Sequence, residues 1–468
     1  MCSSYEAKPD KAPNRAAGRE RRRALIGLAW AMAALIVVAG AECCGAASLP
    51  AGQERVYIGT YTSSSSRGIY QSGLDLENGT LAATNLAAAT ADPSFLAPHP
   101  RDHYLYAVNE GGNAVIAFSV DPVSGKLTRL NQQPSGGAAP CHLVVDNAGK
   151  NVVVANYTGG SVTVFPIQAD GGLGAASAHL QHPGSSPHAH CVALDANNDF
   201  ALVCDLGLDR IFSYRFNSAQ GALTTNTVPW TAVPAGSGPR HLAMDLSCRR
   251  AYVICELNST IIGLAYDSQT GVLSPFQTIS SLPEGWHGQN AAAEVAIHPS
   301  GRFLYGSNRG YNSIAVFALN SDTGTLTPIQ QQSVGKTPRH FAIDPTGAFC
   351  LVANQDSDNI LLYAIDPETG RLTPANQSLR VSKPVFVLPI LTQPPQPVLA
   401  IAYTPAHDLK IDIRHAVSSL AYQLDRAPGL QPDVNWSSLT TGMRGQSTFI
   451  LTNLNSCDFF RATVLTNH

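Results

Sequence analysis

One pattern recurs six times between residues 93 and 373, and no other feature of the chain limits its fold as much. "PSFLAPHPRDHYLYAVNEGGNAVIAFSVDPVSGKLT" (93–128) is the first copy and "PRHFAIDPTGAFCLVANQDSDNILLYAIDPETGRLT" (338–373) the last. Each copy has a short apolar run, a turn rich in Asp, Pro, Gly or Asn, and a second apolar run. A polar break, a third alternating run and a D-x-x-T-G-x-L-T type turn into a fourth run follow. Short runs punctuated this way are strands, and four strands repeating about every 47 residues make one blade of a β-propeller.

Six complete copies leave a fragment at each end. "VYIGTYTSSSSRGIYQSGLDLENGTLAAT" (56–84) supplies a second, third and fourth strand, and "KPVFVLPI" (383–390) supplies only a first. Together they complete a seventh blade, and the closed ring leaves no open edge to pair with other molecules. The expectation is an all-β chain with a seven-bladed β-propeller over residues 54–391. A Pro-rich linker over 392–400 and a small β-rich module, a β-sandwich, over 401–468 complete it.

The N-terminal segment has a different grammar. "GRERRRALIGLAWAMAALIVVAGAECCGAASLPA" (18–51) runs from a basic cluster through an apolar stretch to small residues. Residues 1–50 therefore read as an export signal, with a retained membrane anchor as the alternative. The first reading places the protein in the periplasm or outside the cell; it is cytoplasmic if the segment is not a working signal. Of ten cysteines, Cys2, Cys43 and Cys44 lie in this segment. The seven others are odd in number and form no CxxC or Cys/His pattern, so neither a disulfide framework nor a zinc site is expected. Cys204 and Cys350, inside apolar runs, read as buried thiols. A net charge of −3, with no cluster of Lys and Arg beyond the N-terminus, excludes a phosphate-backbone binder.

First strands line a propeller's channel, so equivalent repeat positions become rings around one axis. The start of the first strand gives Ser94, Cys141, His190, Arg240, Ala293 and Arg339. The next register gives Phe95, His142, Cys191, His241, Glu294, His340 and Phe386. The end of the second strand gives Asn109, Asn156, Asp205, Asn308, Asn354 and Thr60, which Glu256 joins if one residue is inserted in the "LSCRR" turn. Glu110, Tyr157, Leu206, Leu257, Arg309, Gln355 and Tyr61 follow directly. The two strands are antiparallel, so Arg240 and Glu256 should face one pocket. The amides have both a local turn role and a functional one open to them. Arg240, His190, Glu256 and Arg309 break the repeat pattern, and unpaired channel charges are costly unless used.

The motifs "HAH", "DLGLDR", "GPRHL", "ELNST", "FLYGSNRG", "PRHFAIDPTG" and "VANQDSDNI" resemble the lactonase family, over about Val56 to Ile390. That family includes propeller-type 6-phosphogluconolactonases and carboxymuconate lactonizing enzymes. The resemblance implies a metal-free, cofactor-free site on one propeller face, built from a histidine, arginines and a glutamate. By motif these are His190 (or His188), Arg240, Glu256 and Arg309.

Opening a lactone needs a base for water and a cationic site for the oxyanion. Glu256 or His190 is the expected base, and Arg240 the carbonyl partner. Arg309, Arg339 and His340 would hold a phosphate or carboxylate on a small anionic lactone, with His142, His188, Asp205, His241 and Gln355 as further substrate contacts. No GxSxG elbow is present, which disfavours an acyl-enzyme. A muconate-type cycloisomerase, a noncatalytic binding propeller and a calcium site on the ring oxygens are the alternatives.

Overall fold

The computed structural model describes residues 53–391, residue 102 excepted, and the backbone of six further strands between 398 and 465. Seven antiparallel sheets form from residues 53–391, and within each complete copy the strands pair in chain order. Blade 3 is Ala189–Leu194, Phe200–Asp205, Arg210–Asn217 and Ala222–Ala232; blade 4 is Pro239–Met244, Arg250–Cys255, Thr260–Asp267 and Val272–Ser280. Blade 5 begins with Ala291–Ile297 and Phe303–Arg309, and blade 6 with Pro338–Ile343 and Phe349–Asn354. First strands of neighbouring blades lie against one another.

The seventh blade closes as the two fragments require. Pro384–Leu391 is its first strand and pairs antiparallel with Gln53–Thr60, from Glu54↔Leu391 to Thr60↔Pro384. Gly68–Asp75 follows, and the outer edge is split into Thr80–Leu81 and Asn85–Ala89.

The hydrophobic core sits between blades, with each cluster drawing on two neighbours; Cys204 and Phe200 of blade 3, for example, pack with Val253 and Leu264 of blade 4. The glycine turn into the fourth strand joins the blades as well. Tyr57, Tyr106, Tyr252 and Tyr305 each donate a buried hydroxyl to the carbonyl of Gly125, Gly171, Gly324 or Gly370 in the next blade's turn. Those glycines have φ of +70° to +82°, and a Cβ on Gly171 would lie 2.3 Å from Tyr104. The repeated glycine therefore supplies both the left-handed turn and the close approach between blades.

After residue 391, strands Val398–Tyr403, Leu409–Arg414 and Thr448–Leu451 form one sheet, and Ser437–Thr441, Ala421–Ala427 and Phe459–Leu465 another. The strand Val398–Tyr403 takes in the last three residues of the expected linker. The N-terminal segment lies outside the described residues. Among the described residues no helix is long and apolar enough to cross a membrane. Six cysteines there are unpaired, and Cys204 and Cys350 are buried as expected.

Candidate active site

The channel mouth is built by a repeated irregularity. In blade 2, Pro140 pairs with Asn156 and His142 with Ala155, so Cys141 is the extra residue of a β-bulge. The same slip occurs at His190, Arg240 and Arg339. Blade 5 skips Ala293 and Glu294, and blade 7 skips Val385. A bulge re-aims the inserted side chain. Two consecutive residues per blade can then face the axis, which alternating strand geometry forbids.

The bulged residues make an upper ring, and those after them make a floor. Phe95 plugs the floor, 4.0 Å from His142 and 4.3 Å from Phe386 between ring centres. His241 Nδ1 and His340 Nε2 lie 2.8 and 3.2 Å from one oxygen of the buried Glu294. Above the floor is a chamber of about 10 Å³, room for about one water. Ser94, Glu110, Cys141, His190, Arg240, His241, Arg339 and His340 are among its lining residues.

Glu256 is one register from its expected place. Asp245 accepts no insertion: its N–H donates to Arg250 just as Asp146 does to Asn151 and Asp195 to Phe200. Cys255, opposite Pro239, is therefore the equivalent of Asn156 and Asp205. Glu256 belongs with Glu110 and Arg309 in the adjacent ring, which faces the mouth. Its Oε2 bridges Arg240 Nε at 2.9 Å and Arg309 Nη2 at 2.7 Å. Blade 5 fixes the other ends of both guanidiniums: Arg240 donates to Ala293 O, and Arg309 to Ala291 O and Ala292 O. Arg339 lies over the Tyr61 ring, at 5.4 Å, and Tyr61 donates its hydroxyl to Glu110.

Positive charge dominates this pocket and sets its protonation. Burial, then Arg240, hold the His190 imidazole far below its ordinary range, so it is neutral at physiological pH. Its Nδ1 is buried without a hydrogen-bond partner. Burial pushes the Glu256 carboxyl up, but Arg240, Arg309 and Arg339 together hold it below the usual carboxylate value. Burial and Arg240 bring Arg309 down to about 10, still well above neutrality. Burial takes His340 down to about 4 and His241 well below its normal value, and it raises Glu294.

His190, Arg240, Arg339, His241 and His340 therefore meet at the chamber, and Glu256 ties it to Arg309 outside. Other expected contacts fall elsewhere. Asp205 is fully buried: Oδ1 accepts the N–H groups of His188, Gly207 and Leu208, and Oδ2 meets His182 Nδ1 at 2.6 Å. It holds the rim loop and presents no oxygen to the chamber. Asn156 and Asn308 bond neighbouring loops in the same way, through Ser135 O and Ser281 O. His142 lies in the floor near Cys191 Sγ, and Gln355 turns to Asp356. His188 stacks on Tyr157 at the rim, which leaves His190 as the chamber histidine of "HAH". Glu110, Ser94 and Cys141 were not singled out beforehand, although their ring positions were visible. Among the described residues no group of three or more His, Cys, Asp or Glu is arranged to hold a metal ion.

Residues 55–389 match the family model described as lactonase, 7-bladed β-propeller. A 6-phosphogluconolactonase of Bacillus subtilis is 35% identical over 295 residues, 61% of this chain and 83% of the relative. The structure of a Pseudomonas aeruginosa periplasmic gluconolactonase is 32% identical, with TM-score 0.70, over 73% of this chain and 100% of that one. A Lactobacillus plantarum protein of known structure is 37% identical, with TM-score 0.68, over 72% of this chain and 100% of that one. By its matched residues, the chain belongs to the lactonase family of seven-bladed β-propellers.

Proposed function

We propose that this protein hydrolyses the ring ester of a sugar-acid lactone with water as the nucleophile. The observation that carries the reading is the bridging of Arg240 and Arg309 by one carboxylate, at a chamber that Arg339 also lines beside a neutral His190 whose Nδ1 lacks a partner. His190 accepts a proton from water as the oxygen attacks the carbonyl carbon. The tetrahedral oxyanion forms against the Arg240 and Arg339 guanidiniums, which stay charged and present forked donors. Collapse breaks the ring C–O bond, and the imidazolium returns its proton to the departing ring oxygen, giving the open hydroxy acid.

The proton transfer is linked to the charge it creates. Burial and then the arginines suppress imidazolium in the resting site, and an oxyanion forming between the arginines offsets their part of that penalty. Glu256, held ionised by two guanidiniums, is the positioning residue that keeps Arg240 and Arg309 in place, and His190 is the base. The net positive pocket suits an anionic intermediate and product. The names of the B. subtilis and P. aeruginosa relatives support a gluconolactone-type substrate. The basic-then-apolar segment over 18–51 and the periplasmic neighbour support action outside the cytoplasm.

The test is acid release from δ-gluconolactone and its 6-phosphate, run beside a cis,cis-muconate. Lactone opening that falls about a hundredfold or more in Arg240→Ala is expected. Consumption of muconate without lactone hydrolysis would assign the site to cycloisomerisation, and an Arg240→Ala enzyme as active as the parent would remove the site altogether.

A further inference from the structure

We infer that the substrate carries a second, glycosidically attached sugar ring, held in the cleft outside Arg309; this rests on the lactonase reading above. The chamber at the axis has room for about one water, so the lactone ring itself lies at its mouth, and the open cleft beside it, about 910 Å³ in volume, is large enough for that ring and a second. Arg309 lines the cleft and shares Glu256 with Arg240, so the two spaces are joined through one ion-paired network.

One wall is the longest of the connections between blades. The one between blades 4 and 5, residues 281–290 ("SLPEGWHGQN"), spans ten positions, and the six others span three to seven. Extra length on a rigid scaffold is where specificity is built. The loop carries Trp286 into the cleft and holds it there. Its indole meets Tyr311 edge-on at 5.5 Å, and Gly288 folds so close that a Cβ would lie 2.4 Å from the ring. Leu257, displaced outward by the register that puts Glu256 at the mouth, is 57% exposed and lines the same space with Leu282.

The remaining chemistry favours a sugar over a phosphate at this place. Phosphate sites converge several charged or backbone donors on one point. Here the Arg309 donors already face Glu256, Ala291 O and Ala292 O. Asp356, which adds negative charge, is paired with Lys383, and Lys336 is an exposed amine. A pyranose instead presents an apolar C–H face and a rim of hydroxyls. An indole, two leucines and polar groups such as Gln289 and His287 match that mixture.

The experiment compares kcat/KM for δ-gluconolactone, its 6-phosphate and its 4-O-glucosyl derivative, in the parent, Trp286→Ala and Lys336→Ala. The expected result is a disaccharide-to-monosaccharide ratio of about ten or more, which collapses about tenfold in Trp286→Ala through KM and persists in Lys336→Ala. A ratio near one overturns the inference, as does a preference for the 6-phosphate that disappears in Lys336→Ala. If no lactone is hydrolysed, the catalytic reading fails by itself. Calorimetric titration with the disaccharide aldonic acid then decides the cleft: binding weakened by Trp286→Ala supports it, and no binding overturns it.

Discussion

Two rings of side chains, one residue apart at the ends of the second strands, divide the labour of this propeller. In the inner-register ring, Thr60, Asn156, Asp205, Asn308 and Asn354 are fully buried and bond neighbouring backbone and loops, while the Oδ1 atoms of Asn156 and Asn354 have no hydrogen-bond partner. The following ring, with Tyr61, Glu110, Glu256 and Arg309, turns to the mouth and carries charge. The two lie one residue apart and differ in whether their polar groups are held mainly by the fold or face the space above it.

The largest effect that would break this contrast is in the outer ring. Glu256→Gln keeps the shape but removes the charge that binds Arg240 and Arg309, so both guanidiniums are held only from the side of their blade 5 carbonyl contacts. Lactone kcat/KM should fall about a hundredfold, mainly in kcat, while the thermal midpoint changes little. A variant that unfolds and retains turnover per folded molecule would place Glu256 with the scaffold ring.

The inner ring should behave in the opposite way. Asp205→Ala removes the acceptor of three half-buried backbone N–H groups and the partner of the buried His182 ring. Loss of such a network costs about 3 kcal/mol. Denaturant unfolding should therefore shift strongly, with kcat/KM per folded molecule within about threefold of the parent, since the carboxylate does not reach the chamber. A stable but inactive Asp205→Ala protein would return Asp205 to the substrate.

How far the sequence carries follows from the same two rings. Repeat length, turn chemistry and split-blade closure depend on local patterns, and each is present in the written chain, down to Pro384–Leu391 beside Gln53–Thr60. Of the four residues that break the repeat, His190 and Arg240 line the chamber, while Glu256 and Arg309 are tied to it from outside by the Glu256 ion pairs. The bulges were not legible. A bulge adds a residue without changing the hydrophobic pattern, so nothing in "PRHL" says that Arg240 and His241 face the same way. The register of Glu256 was missed because "LSCRR" was aligned by the acidic side chain, whereas the backbone pairing makes Cys255 the ring member. Asp205 and Gln355 were drawn to the substrate because type and ring position cannot say which polar atoms the fold has already taken.

The smallest expected effect concerns the two histidines of "HAH", which differ by two residues and by environment. His190 is enclosed, near three guanidiniums, and its imidazole is held far below the usual 6.5. As the base it must be neutral, so kcat/KM should stay level from pH 8 down through 6.5 and fall only on the acid side of that value. His188 stacks on Tyr157 at 4.6 Å, with its Nδ1 near Tyr157 O. His188→Ala should therefore change kcat/KM less than about threefold and leave the acid limb where it was. His190→Ala should abolish that limb along with most of the rate. If the acid limb instead moved with His188→Ala, the titrating group would be at the rim, and the unpartnered nitrogen in the chamber would not be the base.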